Sequence, residues 1–375
     1  MQVLVLSLQK YYFFPPFSWS KGRKKCFIKS KYTNFVSSSC LVGTENLLLR
    51  MKKINIVLFG LLLAIAIVAC RNSRGNIDGE PQVVVPVYKD MAVFALLDST
   101  ARDAVLEKDS TEIEAFLSTV SEQPFSPQLV EAWSTSLPVE MFTPKVDSIF
   151  PSVEPLARDL GNILARADAA GLKLPERKYA AVVYGRPESV LFVDDIMLIA
   201  LNHYLGADFE GYSHWPSYIR VGKTPQMLPY DLAEAMIGTS YPYESQEDAT
   251  VLDRMLYEGA LAHAKIRLAA DGNEAMALGY LPEQWQWLEE NEKELWNTAV
   301  KHQLIFDTSE QTSQRLFAPS PATTLLAPMC PGRAGRYLGY KIVESYLAKH
   351  PDATLPFLLS RDFYASPSSL ELSAY

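Results

Sequence analysis

Hydrophobic and polar positions alternate along residues 83–375 in a way that predicts a mostly helical fold with a few strands. Apolar residues recur at helical spacing in five segments: 98–119, 153–170, 229–236, 249–270 and 282–303. β-Branched and aromatic runs at 179–184 and 190–193 predict strands, and residues 185–187 between them have the Gly-Arg-Pro composition of a hairpin. Without a regular βαβ alternation or an internal repeat, the pattern predicts one mainly helical α+β domain with a small sheet around 178–200.

The segment 51–70 has the pattern of a lipoprotein signal peptide. Lys52 and Lys53 precede an apolar run over 54–69, which ends in Ala69 directly before Cys70. We therefore expect cleavage before Cys70 and attachment of lipid, such as palmitate, to its sulfur. The alternative is an uncleaved membrane anchor, for which this apolar run is short beside the roughly 20 residues of a spanning helix.

This interpretation divides the chain into four parts. Residues 1–50 are basic and aromatic without an amphipathic period, so we interpret them as an extension from a start codon upstream of Met51. Residues 51–69 are the signal peptide, 70–82 form a polar, flexible tether, and 83–375 form the globular domain. We expect a lipid-anchored domain in the cell envelope. The tether lacks a run of acids, which favours the periplasmic side and leaves the choice of membrane open.

Charge and cysteine content narrow the possible functions. The chain has a net charge of -8, and removing residues 1–69, with ten Lys/Arg and one acid, leaves -17. Such an acidic domain is not expected to bind nucleic acid, which requires clustered basic residues. Cleavage would leave Cys70 and Cys330, so a lipidated Cys70 excludes an internal disulfide and a cysteine zinc cluster. We interpret Cys330 as a buried or incidental thiol.

Glu258 is the most informative candidate for chemistry. On a helix it shares a face with the apolar Val251, Met255 and Ala262, and a carboxylate there requires a partner. One interpretation is a structural acid bonded to a buried Arg or Tyr. The other is a former zinc ligand, but the upstream helix that would supply the remaining ligands has Glu234 and no histidine. A zinc site would need an atypical set such as Glu258, Glu234 and His203.

Two further features are candidates for a binding site. Arg333 and Arg336 follow a Pro-Gly turn at the start of a predicted helix, and they either pair with Glu258 or Glu234 or bind an anionic ligand at the helix N-terminus. Pro, Tyr and Trp are dense in the loops 204–228 and 306–332, which are expected to line a cleft. The chain has no nucleophile elbow, phosphate-binding loop or dinucleotide fingerprint.

Several stretches of the chain form a recognisable set: the segments 195–208, 279–287, 290–292, 331–336 and 366–375, together with Leu252-Asp-Arg-Met-Leu-Tyr-Glu-Gly259. Together they resemble the gliding-motility lipoprotein GldB family of Bacteroidetes. The resemblance implies a lipid-anchored envelope protein tied to gliding or to secretion machinery that shares its components. It also implies a distant similarity to predicted gluzincin-type zinc peptidases, with the histidine ligands lost. Asn202 and the pair Ala262-His263 depart from the family pattern.

Two hypotheses follow. The first is a non-catalytic envelope lipoprotein that binds another envelope protein or peptide and carries no cofactor apart from the lipid on Cys70. The second is a zinc-dependent, peptidase-like hydrolase that uses the atypical ligand set. No two histidines lie four residues apart, so the sequence favours the first hypothesis.

Overall fold

The computed structural model describes residues 87–90, 113–119, 121–269 and 272–375. The proposed extension, signal peptide, Cys70 and tether lie outside these ranges. Most of the helix predicted over 98–119 also lies outside them, and its final residues, 113–119, are helical.

Four strands form a mixed sheet: β1 (Val87–Asp90), β2 (Lys178–Val182), β3 (Val190–Val193) and β4 (Ile196–Ala200). The order is β1-β2-β4-β3, with β2 parallel to β1 and β4, and β3 antiparallel to β4. Every residue of β3 and β4 is buried. The predicted sheet around 178–200 is confirmed, and β1 adds a strand from an earlier part of the chain.

The predicted hairpin across residues 185–187 is wrong. The hairpin instead joins β3 to β4, with Val193 paired to Ile196 around a two-residue turn. Asp194 in that turn adopts a φ of 50°, a left-handed conformation that Asp tolerates better than most residues. The wholly apolar β4 is buried between two neighbours, and this central position separates β2 from β3.

Helices make up most of the rest of the described chain, with loops between them. Besides the helical residues 113–119, three helices precede β2: α1 (Pro127–Ser134), α2 (Leu137–Ile149) and α3 (Glu154–Ala169). The longer helices after the sheet are α5 (Leu228–Ser240), α6 (Val251–Leu268), α8 (Pro282–Lys301), α9 (Glu310–Phe317) and α10 (Ala334–Lys349). Shorter ones are α4 (Ser217–Arg220), α7 (Glu274–Leu278), α11 (Leu355–Leu358), α12 (Arg361–Tyr364) and α13 (Pro367–Ser373). The helices predicted over 153–170, 229–236, 249–270 and 282–303 are confirmed as α3, α5, α6 and α8, with small shifts at their ends.

Local signals explain where α6 and α8 begin. Thr250 caps α6 by accepting a hydrogen bond from the backbone N–H of Asp253, whose carboxylate accepts one from the Thr250 N–H in return. Helix α8 starts at Pro282, where the missing N–H of proline costs no helical hydrogen bond.

The core is organised around α6, which packs against α3, α5, α10 and α12. Its tightest contact is with α10, where Gly259 faces Gly339. A Cβ on Gly259 would overlap the Gly339 carbonyl, and a Cβ on Gly339 would overlap the Met255 carbonyl. The two backbones therefore touch directly, which only glycine permits. All described residues belong to one compact unit. No helix among them is long and apolar enough to span a membrane.

We predict that Gly339→Ala destabilises the protein by at least about 1–3 kcal/mol, because the new methyl group must push two helix backbones apart. Gly238→Ala in α5 is the matched control, since a Cβ there meets nothing within 4 Å. The control should be neutral or slightly stabilising, by about 0.5–1 kcal/mol. Denaturant unfolding of both variants checks this, and equal stabilities would contradict the close approach.

Candidate ligand-binding cleft

Four charged side chains from three helices meet beside the α6–α10 contact. They are Glu234 from α5, Glu258 and Lys265 from α6, and Arg336 from α10. Arg336 donates to Oε1 of Glu234 at 2.7 Å, and its Nε lies 3.4 Å from Oε2 of Glu258. Lys265 donates to the other oxygen of Glu234. We call these four residues the charged cluster.

Another arginine, Arg254, contacts the cluster through Glu258. Arg254 lies one turn before Glu258 on α6 and donates to Oε1 of Glu258 through Nε at 2.8 Å and through its terminal nitrogen at 2.5 Å. Each carboxylate of the cluster therefore contacts two cationic side chains. Burial makes this pairing necessary, because Lys265 is 1% exposed and an unpaired charge there would be costly.

The pKa of Glu234 reflects these contacts. Burial alone would raise it, but Arg336 and Lys265 outweigh burial and lower the pKa of Glu234 to about 2. Burial and the repulsion of Arg336 lower the pKa of Lys265 to about 8. Both groups are therefore ionised at neutral pH, and Glu234 binds a proton only in strongly acidic solution.

A second buried group lies next to the cluster and contains His203. Lys223 Nζ is 2.7 Å from Nδ1 of His203, and because an ammonium group only donates, Nδ1 is the acceptor. The ring hydrogen is then on Nε2, which lies 3.0 Å from the carbonyl of Arg186. Burial and Lys223 hold the pKa of His203 well below its usual value, so the ring is neutral. Lys223 also lies over the Trp215 ring, 4.6 Å from its centroid.

Asp231 connects the two groups from the first turn of α5. Its carboxylate accepts a hydrogen bond from the Tyr204 hydroxyl at 2.9 Å. Burial raises the pKa of Asp231, whereas the charges of Lys265 and Lys223 oppose that effect. Burial lowers the pKa of Lys223 to about 8, with Asp231 acting in the opposite direction.

Two adjoining cavities open onto the charged cluster, with volumes of about 140 and 380 Å³. Both are lined by Glu234, Pro319, Arg333 and Arg336, so they are neighbouring parts of one cleft that share these residues. The smaller cavity includes residues from the loop 204–228, and the larger one includes the segment 307–310. The expectation that the loops 204–228 and 306–332 line a cleft is confirmed.

The model of the gliding motility protein GldB family matches residues 84–366. The chain belongs to this family. No curated protein and no solved structure gives a significant match. The matched segment includes every residue of the charged cluster and both cavities.

The three candidate zinc ligands predicted from the sequence lie in two different places in this GldB family member. Glu234 and Glu258 lie in the charged cluster, bridged by Arg336, whereas His203 lies behind Lys223 and does not line either cavity. Within the described ranges, no group of three His, Cys, Asp or Glu side chains is arranged to hold a metal ion. Cys330 is a buried free thiol, and burial raises its pKa to about 12.

The two arginines differ in their surroundings. Arg336 makes ion pairs with Glu234 and Glu258, as the structural interpretation expected. The pairing expected for Arg333 is not found: its side chain makes no hydrogen bond or ion pair with the described part of the chain, and it lines both cavities. The reason is backbone geometry: Arg333 is the N-cap of α10 with a left-handed φ of 63°, so its side chain leaves the helix in a different direction.

Sequence reasoning missed several residues of the site, among them Lys265, Lys223 and Tyr280, which lines the smaller cavity. Lys265 had a usable signal, because it follows Glu258 by two helical turns on the same helix face. Lys223 lies in a loop, where no periodicity indicates burial, and Tyr280 follows a short helix that gave no pattern.

The pKa of Glu234 predicts a pH dependence of stability. A carboxyl group with a lowered folded-state pKa contributes stability that is present above the unfolded pKa of about 4.5 and is lost as the pH falls towards about 2. The stability advantage of the wild type over Glu234→Gln should shrink by about 2 kcal/mol between pH 6 and pH 3. Denaturant unfolding of both proteins at each pH measures this difference.

The exposed Glu154, paired with Arg158 on the surface of α3, provides the control. Glu154→Gln should follow the wild type across the same pH range, because an exposed pair contributes little. If the Glu234→Gln and wild-type curves stay parallel, the ion pairs do not lower the pKa of Glu234.

Proposed function

We propose that this chain is a lipid-anchored protein of the cell envelope whose cleft holds a segment of another envelope protein without cleaving it, as part of gliding or secretion machinery. Membership of the GldB family supports a role in gliding or secretion machinery. The position of Cys70 at the end of a lipoprotein signal peptide supports the lipid anchor. The periplasm-facing side of the membrane is the expected location.

The non-catalytic assignment rests on Glu234, because both oxygens of its carboxylate are already bound to cationic side chains. In a gluzincin-type peptidase the acids of the corresponding helices act as zinc ligand and general base. Here one oxygen of Glu234 binds Arg336 and the other binds Lys265, and its pKa is about 2. A general base needs a pKa near the working pH, so this carboxylate is unsuited to activating water.

The contacts made by Glu258, Glu234 and His203 do not fit a zinc site. Glu258 is held by Arg254 and Arg336, which places positive charge where a metal ion would have to approach. His203 has its Nδ1 committed to Lys223 and its Nε2 to the Arg186 carbonyl. The hydrolase hypothesis would therefore require three separate sets of contacts to break, and we derive no reaction from it.

The cleft itself supports a binding role. Its two adjoining cavities, of about 140 and 380 Å³, offer room for a few residues of a peptide chain. The larger cavity has aromatic walls at Tyr243, Tyr257 and Phe317 and polar groups such as Thr239 and Ser313. Aromatic surfaces with separate hydrogen-bonding groups are typical of sites that recognise peptides.

The anchor is tested by Cys70→Ser in the full-length chain. We expect the variant to lose incorporation of labelled palmitate and to leave the membrane fraction, because no acyl chain can attach to serine oxygen by the lipoprotein pathway. Cys330→Ser is the control and should keep its label. Unchanged labelling and membrane association of Cys70→Ser would contradict the proposed anchor.

The partner is tested by crosslinking in cells and co-purification from membranes. Ser313→Trp on α9 fills the larger cavity, whereas Gln311→Trp places the same side chain at an exposed position of the same helix. We expect wild type and Gln311→Trp to recover motility or secretion components, and Ser313→Trp to recover at least about tenfold less. Recovery of only abundant lipoproteins by all three proteins would refute the proposal.

A further inference from the structure

The smaller cavity has an excess of positive charge, although the protein as a whole is acidic. Four cationic residues line it, namely Lys223, Lys265, Arg333 and Arg336, against two acids, Asp231 and Glu234. The net charge of the complete chain is -8. Local charge of the opposite sign in an enclosed site favours an anionic ligand, because low-polarity walls strengthen its attraction.

Arg333 supplies the charge that the protein itself does not neutralise. It is half-buried at the junction of the two cavities, and its side chain makes no hydrogen bond or ion pair with the described residues. The preceding Gly332 fixes the backbone there, since a Cβ on it would overlap the Ser320 carbonyl. Arg333 itself has a left-handed φ of 63° at the start of α10.

Tyr280 gives a second, independent sign of a ligand. It lies in the wall of the same cavity and is 6% exposed, and its hydroxyl has no hydrogen-bond partner in the described structure. Burial and the Cys330 thiol raise the pKa of Tyr280, whereas the charges of Arg333 and Arg336 oppose that rise. The Arg333 guanidinium lies beside the preceding residue, 3.4 Å from where a Cβ on Gly279 would be. Buried hydroxyl groups in native proteins are almost always paired, and an oxygen of a bound anion would supply the missing acceptor.

We propose that the smaller cavity binds the C-terminal carboxylate of a partner peptide, with Arg333 and the Tyr280 hydroxyl as donors. This inference rests on the proposed function and specifies which part of the partner the cleft recognises. Arginine is suited to this role because its planar group can donate two parallel hydrogen bonds to a carboxylate.

The larger cavity favours a peptide over a free phosphate or a lipid headgroup. It continues from Arg333 and Arg336 and also includes the acids Asp307 and Glu310. The cleft therefore has a cationic end and a wall with acidic groups, which match a chain with a terminal carboxylate and a basic residue upstream. A phosphate ion would occupy only the smaller cavity, and acyl chains would meet acids and hydroxyls such as Thr308 and Ser309.

The test uses the full-length lipoprotein immobilised in detergent micelles and two pools of random hexapeptides. One pool has free C-terminal carboxylates, and the other has the same sequences as C-terminal amides. Mass spectrometry measures the amount of each pool retained. We expect the wild type to retain about tenfold more of the free-acid pool, because each charge-assisted hydrogen bond contributes at least a tenfold change.

Two variants and a control assign the preference to this cavity. Arg333→Gln should retain both pools equally, whereas Arg361→Gln, at an exposed position of α12, should keep the preference. Tyr280→Phe should weaken retention of the free-acid pool several-fold. Its melting temperature should not fall, because the hydroxyl has no protein partner to lose and the ring keeps its contacts with Trp285 and Tyr337.

The outcomes separate this inference from the proposed function. Equal retention of the two pools by the wild type, with the crosslinked partner still recovered, would overturn the carboxylate site alone. Binding of inorganic phosphate that is lost in Arg333→Gln, without a preference between the pools, would overturn it in favour of a phosphate-bearing ligand. A preference for free acids without any crosslinked envelope partner would support the carboxylate site and refute the proposed function.

Discussion

The direct contact between the backbones of α6 and α10 determines how the cleft is built. Gly259 and Gly339 leave no space for a side chain on either helix, so the helices cross at one fixed point. Glu258 is adjacent to the first glycine, and Arg336 lies about one turn before the second. The crossing therefore places the guanidinium of Arg336 between Glu258 and Glu234, and the charged cluster is a consequence of helix packing.

Buried ion pairs of this kind do not by themselves explain stability. The cost of removing each charge from water cancels much of the attraction between them, and apolar replacements of similar shape are often as stable. Removing one partner is different, because it leaves the other charge buried and unpaired. The cluster therefore holds α5, α6 and α10 in one arrangement, and it fixes the walls of the cleft more than it strengthens the fold.

Much of the fold could be predicted from the spacing of apolar residues, because α3 and α8 each bury one face and the apolar runs of α5 and α6 are buried on most sides. The strand order could not, since the continuous apolar run of β4 indicates burial but not its position between β2 and β3. Glu258 stood out in the sequence as a carboxylate on an apolar stripe. Arg336 was expected as one possible partner of Glu258 or Glu234, and this pairing is found. The pairing of Lys265 with Glu234 was not expected, because it depends on a contact between two different helices.

The contrast between Arg336 and Arg333 shows where sequence reasoning reaches its limit. Both arginines lie in one short motif, and both were expected to share one role. The left-handed backbone at Arg333 separates them: one guanidinium is turned into the cluster, and the other remains at the junction of the two cavities.

This separation also explains how an acidic protein can present a cationic pocket. The acids of the cluster are already neutralised by Arg336, Lys265 and Arg254, so they do not compete for Arg333. In a metal-dependent site the same acids would need an external cation. With fixed internal cations in their place, the positive charge of Arg333 stays at the junction of the two cavities without an ion pair among the described residues.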